Sequence, residues 1–268
     1  GGGTSKTTIV VGESINEFTS SNVTYDADGS KSVSKASYDG VDVTQELSII
    51  ENSATGRDDV VKIKYIVKND TEYAKQVGIR IMMDTMLGGN DAAPFRVNGS
   101  DVTTETVYSG SNIPQIWQAF DSATNPGVVA QGTFYKSGDR KPDKVQFTNW
   151  GNVTSTLWDY VTQPGRSNGD SAVSITWNKD TFTSGETREF VTYYGLSELE
   201  QNLIPPLALS VYADNKVSIS NFNYDDINAN VYLDNIGDGD ATDVSIKITA
   251  DNLEPKYGTS LTHNYSVI

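Results

Sequence analysis

The sequence predicts an all-β protein, and both its composition and its pattern of alternation support that class. Only 37% of the residues are hydrophobic, and Thr, Ser, Asn, Asp and 23 Gly fill the deficit instead of Lys and Glu. Blocks of the helix formers Ala, Leu, Glu and Lys are absent, whereas β-branched residues, 14 Tyr and 8 Phe are frequent. Residues 60–68 alternate between apolar and mostly charged side chains, as half-buried strands do.

Apolar runs bounded by turn residues predict the individual strands. The strand 60–68 is the clearest, because Tyr65 and its alternate neighbours share one face. A turn at Asn69-Asp70 predicts that 77–84 returns beside it as a hairpin. The segment 112–120 fits either a strand or a helical turn. Further strands are predicted at 7–18, 41–51, 102–108, 128–135, 145–150, 172–178 and 188–196.

Two prolines, Pro205 and Pro206, mark the predicted domain boundary, because they stiffen a connector and do not fit a central strand. Residues 1–203 are predicted to form a large antiparallel β-sandwich that binds glycan, with a supersandwich as one form it could take. Residues 204–268 show short strands at roughly 8–12-residue spacing. They are predicted to form a small immunoglobulin-like β-sandwich.

Charge and composition exclude several classes of function. The chain has 20 basic and 35 acidic residues and a net charge of −15, which repels nucleic acid and anionic membranes. It has no Cys, so disulfides, thiolate nucleophiles and Cys-bound metals are excluded. A single histidine, His263, argues against His-rich metal sites and a Ser-His-Asp triad. No apolar run reaches about 20 residues. We expect an extracellular monomer at a bacterial cell surface, not inserted into the membrane.

Two loops, 84–100 and 151–171, are the predicted places for a functional site, because loops this long are uncommon unless they are functional. A neutral polysaccharide needs aromatic platforms for the apolar faces of its rings and polar groups for its hydroxyls. Trp177 shares a face with apolar neighbours and is predicted to be core. The candidate platforms are Trp117, Trp150, Trp158 and Tyr160, and their candidate polar partners are Asn149, Asp159 and Arg166.

Acidic loops are the other candidates. Asp84 and Asp91 are predicted to bind either a cation or sugar hydroxyls. Turn chemistry explains the acidic stretches 26–29 and 234–240 better than a metal does. No cofactor is therefore predicted, with Ca²⁺ left open. Spacing alone nominates no pair of carboxylates for glycoside hydrolysis, and no catalytic residue is assigned.

Two resemblances add to this interpretation. The motif Ala229-x-Val231-x-Leu233-x-Asn235-x-Gly237 resembles the CARDB-like immunoglobulin-like modules of bacterial surface proteins, which implies a spacer. The stretches 83–95, 145–151 and 192–196 are similar to starch-adherence proteins of gut bacterial amylosomes. That resemblance implies a noncatalytic module that binds α-1,4-glucan beside other amylosome proteins.

The function predicted from the sequence is therefore noncatalytic recognition of a neutral polysaccharide, most readily starch or maltooligosaccharides. Two alternatives stay open. One is a structural or adhesive stalk module whose tryptophans are all core. The other is a carbohydrate-active enzyme of supersandwich type.

Overall fold

The computed structural model divides the chain into two units, Gly1–Ser197 and Glu198–Ile268. It describes residues 3–20, 22–52 and 56–197 of the first unit. In the second it describes 207–213, 219–220, 223–224, 229–235, 242–248 and 261–267.

The first unit is an antiparallel sandwich of a six-stranded and a nine-stranded sheet, which confirms the all-β prediction. A short helix, α1 (Trp150–Thr154), and a 3-10 turn, η1 (Gly110–Asn112), interrupt the strands. In chain order the strands are β1 (Lys6–Val11), β2 (Ser14–Glu17), β3 (Val23–Tyr25), β4 (Lys31–Tyr38), β5 (Val41–Asn52), β6 (Arg57–Asn69), β7 (Lys75–Asp84), β8 (Phe95–Val97), β9 (Ser100–Val102), β10 (Thr106–Ser109), β11 (Ile116–Phe120), β12 (Val129–Thr133), β13 (Lys144–Asn149), β14 (Ser171–Phe182) and β15 (Thr187–Ser197). The six-stranded sheet has the order β10-β13-β14-β7-β1-β2, and the nine-stranded sheet has the order β3-β4-β5-β6-β15-β12-β11-β8-β9.

The core lies between the two sheets. The six-stranded sheet contributes Ile79 and Trp177, and the nine-stranded sheet contributes Tyr65 and Phe95, each at most 1% exposed. Alternation along β6 places Tyr65 and its alternate neighbours toward this core, as the sequence pattern predicts.

The predicted hairpin between 60–68 and 77–84 is wrong. β6 pairs with β5 and β15 in the nine-stranded sheet, whereas β7 pairs with β1 and β14 in the other sheet. The side chain of Asn69 is fully buried and donates to the backbone carbonyls of Tyr73, Phe182 and Thr183. The connection after β6 is thereby fixed to the end of β14 and crosses to the other sheet.

The segment 112–120 is predicted as either a strand or a helical turn. It contains the end of η1, followed by β11. The predicted strand 102–108 is two strands in different sheets, because β9 pairs with β8 and β10 pairs with β13.

In the second unit, the described residues form three antiparallel pairs, each considered by itself. Pro205, Pro206 and residues 236–240 of the acidic stretch lie outside the described residues, and the domain assignment stays a prediction. None of the helices in the described residues has the length and hydrophobicity of a membrane span. The paired strands are β16 (Leu207–Ala213) with β19 (Ala229–Asn235), β17 (Ile219–Ser220) with β18 (Asn223–Tyr224), and β20 (Thr242–Lys247) with β21 (Thr262–Val267).

We predict that Gly132→Ala destabilises the sandwich by about 1–3 kcal/mol, because overpacking a dense core forces its neighbours to shift. A Cβ on Gly132 would overlap Cε2 and Nε1 of the indole of Trp117, which is paired with Gly132 on the adjacent strand β11. Urea denaturation followed by circular dichroism measures the loss. Gly3→Ala is the control, because that glycine is exposed and an added Cβ would meet nothing within 4 Å. Equal stability of Gly132→Ala and wild type would contradict this packing.

Candidate functional site

Two of the four tryptophans are core residues and offer no ring face to a ligand. Trp117 is 1% exposed and stacks on Tyr194 with ring centroids 5.5 Å apart. The prediction that Trp117 is a sugar platform is therefore wrong. Gly132 has no side chain, and the indole packs inside the sandwich in the space that a Cβ there would occupy. Trp177 is 0% exposed, and its predicted place in the core is confirmed.

Residues 150–168, called here the cover segment, lie across the outer face of the six-stranded sheet. The sequence predicts a long loop here, but the segment begins with α1 and is held down along its length. Asn149 is the N-cap of α1, and its Oδ1 accepts from the backbone N–H of Asn152 at 3.2 Å, so this predicted ligand residue has a structural role. Below the segment lies an apolar cluster of Met82, Val153, Tyr160 and Ala172, with Trp150 packed against it.

A buried carboxylate, Glu105, fastens the far part of the cover segment. It accepts hydrogen bonds from Thr148 Oγ1 (2.9 Å), Asn152 Nδ2 (3.3 Å), Tyr160 Oη (2.7 Å) and the backbone N–H of Gln163 (2.7 Å). Burial alone raises the pKa of Glu105, but these donors outweigh burial and hold the pKa below its ordinary value. Glu105 therefore stays charged under the segment.

Tyr160 is a second correction. It is 8% exposed, its hydroxyl donates to Glu105, and its carbonyl accepts from Gln146 Nε2 at 2.8 Å. Burial, together with the neighbouring charge of Glu105, raises the pKa of the Tyr160 phenol. Tyr160 anchors the segment because it bonds Gln146 and Glu105, polar groups that need partners once they are covered.

A buried cation holds the near part of the cover segment. Arg80 on β7 is 3% exposed and donates to Ser174 Oγ (2.8 Å), the Val153 carbonyl (3.0 Å) and the Thr156 carbonyl. Burial lowers the pKa of Arg80 to about 10, although the charge of Asp159 acts against this shift. Carbonyl dipoles rather than a bonded carboxylate therefore satisfy this guanidinium.

Two indoles remain partly exposed on the cover segment, Trp150 and Trp158. Trp158 lies against Gly78 of β7, where an added Cβ would come within 2.7 Å of its Cη2. Trp150 donates from Nε1 to the Thr4 carbonyl at 2.9 Å, which fixes the orientation of its ring. The missing side chain at Gly78 and this hydrogen bond hold both rings in place while part of each stays accessible.

The two remaining predicted partners on the cover segment are exposed. Asp159 has positive φ (46°), and its Oδ1 lies 3.8 Å from Nζ of Lys144. The Arg166 side chain is exposed but lies near the Tyr160 phenol, whose pKa it acts to lower, and its backbone carbonyl accepts from the N–H of Glu105 at 2.8 Å. Both are available at the edge of the segment.

The two predicted functional loops meet at one end of the six-stranded sheet. The backbone N–H of Ser171 donates to the Asp91 carbonyl (2.8 Å), and the N–H of Thr85 donates to the Ser171 carbonyl (3.0 Å). Asp84, Asp91 and Asp170 come together there, with one carboxylate oxygen of each within 4.8 Å of the others. This junction unites the predicted residues Asp84 and Asp91 with an aspartate that the sequence did not single out.

Burial and charge repulsion both act on this carboxylate cluster. Burial, followed by the charges of Asp91 and Asp84, raises the pKa of Asp170. Oδ1 of Asp84 is buried and has no hydrogen-bond partner among the described residues. Such oxygens suit a hard divalent cation such as Ca²⁺ or donors such as sugar hydroxyls.

The two partly exposed indoles and the carboxylate cluster lie along the outward residues of β7. Trp158 lies on the first of them, the third belongs to the apolar cluster against which Trp150 packs, and the carboxylate cluster begins at the fourth. Six residues of extended strand span roughly 20 Å, which makes the surface elongated. The four outward residues are Gly78, Arg80, Met82 and Asp84.

Sequence reasoning missed Glu105, Arg80 and Asp170. Glu105 and Arg80 carry no local signal, because their partners lie far away in the chain, as the separation of 55 positions from Glu105 to Tyr160 illustrates. Asp170 had a signal: it precedes a predicted strand, as Asp84 ends one, and antiparallel neighbours bring such positions together.

No protein-family model and no curated protein matches this chain. A galactose mutarotase related enzyme from Lactobacillus acidophilus is 7% identical, with 66% of this chain and 71% of that chain covered and a TM-score of 0.37. A galactose mutarotase-like protein from Lactobacillus casei is 8% identical, with 65% and 72% covered and a TM-score of 0.39. A polysaccharide lyase is 8% identical, with 88% and 36% covered and a TM-score of 0.42. Likeness at this level carries no argument about ligand or activity.

We predict that Glu105→Gln destabilises the protein by about 1–3 kcal/mol at neutral pH, because the amide replaces a charged acceptor and brings an unneeded donor. A carboxyl whose pKa is lowered by folding stabilises the fold above its unfolded-state pKa and loses that contribution as pH falls through its native pKa. The difference from wild type therefore shrinks in acid. Urea denaturation across pH measures it, with the exposed Glu72→Gln as control. A difference that is constant with pH would contradict the network.

We predict that Asp170→Asn stabilises the protein in EDTA at neutral pH, by less than about 1 kcal/mol because the site is near the surface. The raised pKa means that native Asp170 disfavours its charge, so wild-type stability falls as pH rises through the window above the unfolded-state pKa. Below that pH range Asp170 is protonated in both states, so Asp170→Asn gains no stability there. Thermal unfolding measures it, with the exposed Asp26→Asn as control. A lower unfolding temperature for Asp170→Asn than for wild type in EDTA would refute the unfavourable charge of Asp170. A higher unfolding temperature in calcium chloride for wild type alone would reveal a bound cation.

Proposed function

We propose that this protein is a noncatalytic carbohydrate-binding module that holds a neutral polysaccharide along the cover segment. The observation that carries the proposal is the row on β7, in which two partly exposed indoles, Trp150 and Trp158, are followed by the carboxylate cluster. Aromatic faces bind the apolar side of sugar rings, and carboxylates accept hydrogen bonds from their hydroxyls.

The spacing of the two rings supports an extended ligand. Trp158 lies over Gly78, and Trp150 packs against the cluster that contains Met82, four residues further along β7. Gly78 and Met82 are roughly 13 Å apart along the strand, which is longer than one sugar ring. An oligosaccharide touching both indoles gains from both contacts, whereas a monosaccharide reaches one.

The rigidity of the platform supports useful affinity. Glu105 and Arg80 fix the cover segment before any ligand arrives. Little conformational freedom is then lost on binding, so weak stacking contacts are not cancelled by ordering of the loop. The net charge of −15 suits a neutral ligand and disfavours anionic glycans.

We propose starch, an α-1,4-glucan, as the polysaccharide, on the strength of the similarity of residues 83–95, 145–151 and 192–196 to starch-adherence proteins. In this proposal the protein works at a bacterial cell surface among other starch-binding proteins, and the CARDB-like residues 204–268 act as a spacer. Many weak sites along an insoluble substrate then multiply the affinity of one.

We predict that wild type binds granular starch and maltoheptaose, and that Trp158→Ala or Trp150→Ala weakens binding roughly tenfold, since each loses stacking and buried area. Isothermal titration with maltoheptaose and a starch pull-down measure the effect. Gly78→Ala adds a second test, because its Cβ displaces Trp158 without removing the indole. Tyr25→Ala is the control, since Tyr25 is 71% exposed on the other sheet.

Unchanged binding in both tryptophan variants would refute the cover segment as the binding surface. No binding to starch or to any neutral oligosaccharide would favour the stalk module instead.

One observation favours an enzyme as the second candidate. The carboxylate oxygens of Asp84, Asp91 and Asp170 lie within 4.8 Å of one another, and the pKa of Asp170 is raised by burial and by its acidic neighbours, as a general acid requires. Release of reducing ends from starch by wild type, abolished in Asp170→Asn, would replace the noncatalytic proposal with this one.

A further inference from the structure

A groove of about 620 Å³ opens at the side of the sandwich, at the edge of the six-stranded sheet. One wall is the tight turn between β8 and β9, where Asn98 (φ 49°) and Gly99 (φ 73°) both have positive φ. Two consecutive residues of this kind form the rigid hairpin turn that favours Asn-Gly. The opposite wall is β10, the edge strand of the six-stranded sheet, followed by η1. Both walls are fixed by backbone geometry.

The lining of the groove is uncharged. None of its eight residues is Asp, Glu, Lys or Arg, although the chain carries 55 such residues. Amide and hydroxyl side chains come from Asn98, Ser109, Ser111 and Asn112, all of them exposed. These groups both donate and accept hydrogen bonds, which matches a ligand whose hydroxyls do the same.

An aromatic ring completes the groove. Tyr108 is partly exposed and rests edge-on against Phe147 of the core, with centroids 6.0 Å apart and planes at 89°. Burial raises the pKa of the Tyr108 phenol, so its hydroxyl stays neutral. The groove therefore offers one supported ring beside several neutral polar groups, and no charge for an anion or a cation to pair with.

We propose that this groove is a second binding site, for a neutral oligosaccharide. The groove uses neither Trp150 nor Trp158, so the proposal goes beyond the function proposed above and does not depend on it. Neutral rigid walls, a phenol ring and free amides and hydroxyls are the chemistry of polyhydroxyl ligands. With both sites occupied, one module holds two stretches of a polysaccharide.

The test is a nuclear magnetic resonance titration of the ¹⁵N-labelled full chain with maltoheptaose, cellohexaose and xylohexaose in turn. The backbone amides of 107–113 report on the groove, and the indole N–H signals of Trp150 and Trp158 report on the cover segment. Ser111→Arg blocks the groove with a bulky charge at an exposed position, and the exposed Ser184→Arg is the matched control. Pentaglycine tests a neutral peptide.

We expect at least one sugar to shift the groove amides at millimolar concentration. Ser111→Arg should weaken that response at least tenfold, Ser184→Arg should leave it within twofold, and Trp158→Ala should leave it intact. Silent groove amides with responding indoles would overturn the groove alone. Silent indoles with responding groove amides would support the groove and overturn the cover-segment proposal. A groove that responds to pentaglycine but to no sugar would overturn the carbohydrate assignment.

Discussion

Two buried charges, Glu105 and Arg80, determine whether the candidate binding surface exists at all. They lie on the outer face of the six-stranded sheet, where covered polar groups would be costly without partners. Neither is satisfied by the other charge. Glu105 accepts from the cover segment and from Thr148 of β13, and Arg80 donates to two carbonyls of the cover segment and to Ser174 of β14. The cover segment is therefore a fixed layer of the fold, and its outer side is a fixed surface.

A glycine on a neighbouring strand makes room for the indole of two of the four tryptophans, Trp117 and Trp158. At Gly132 the missing side chain lets Trp117 enter the sandwich, and at Gly78 the same absence lets Trp158 settle on the outer face of β7. Both glycines leave space for an indole because they lack a Cβ, but Gly132 faces the core and Gly78 faces the cover segment. Which side of the sheet a glycine faces thus separates a packing residue from a candidate ligand platform.

The sequence was sufficient where structure is local. Alternation in 60–68 predicts which side of β6 holds Tyr65, and the composition predicts the fold class. It was insufficient where partners are distant. Nothing near Tyr160 indicates Glu105, and nothing near Asn69 indicates that its amide bonds to the end of β14. Because the pairing of β7 with β14 was not predicted, the meeting of Asp84 with Asp170 was not predicted either.

The most direct measurement is intrinsic tryptophan emission during a titration with maltoheptaose. Two of the four indoles, those of Trp117 and Trp177, are buried, whereas Trp150 and Trp158 are partly exposed. Emission from the exposed pair should shift to the blue and saturate as sugar displaces water from their rings. Emission that stays constant to the solubility limit of the sugar, from a protein that remains folded, would contradict recognition through these two rings.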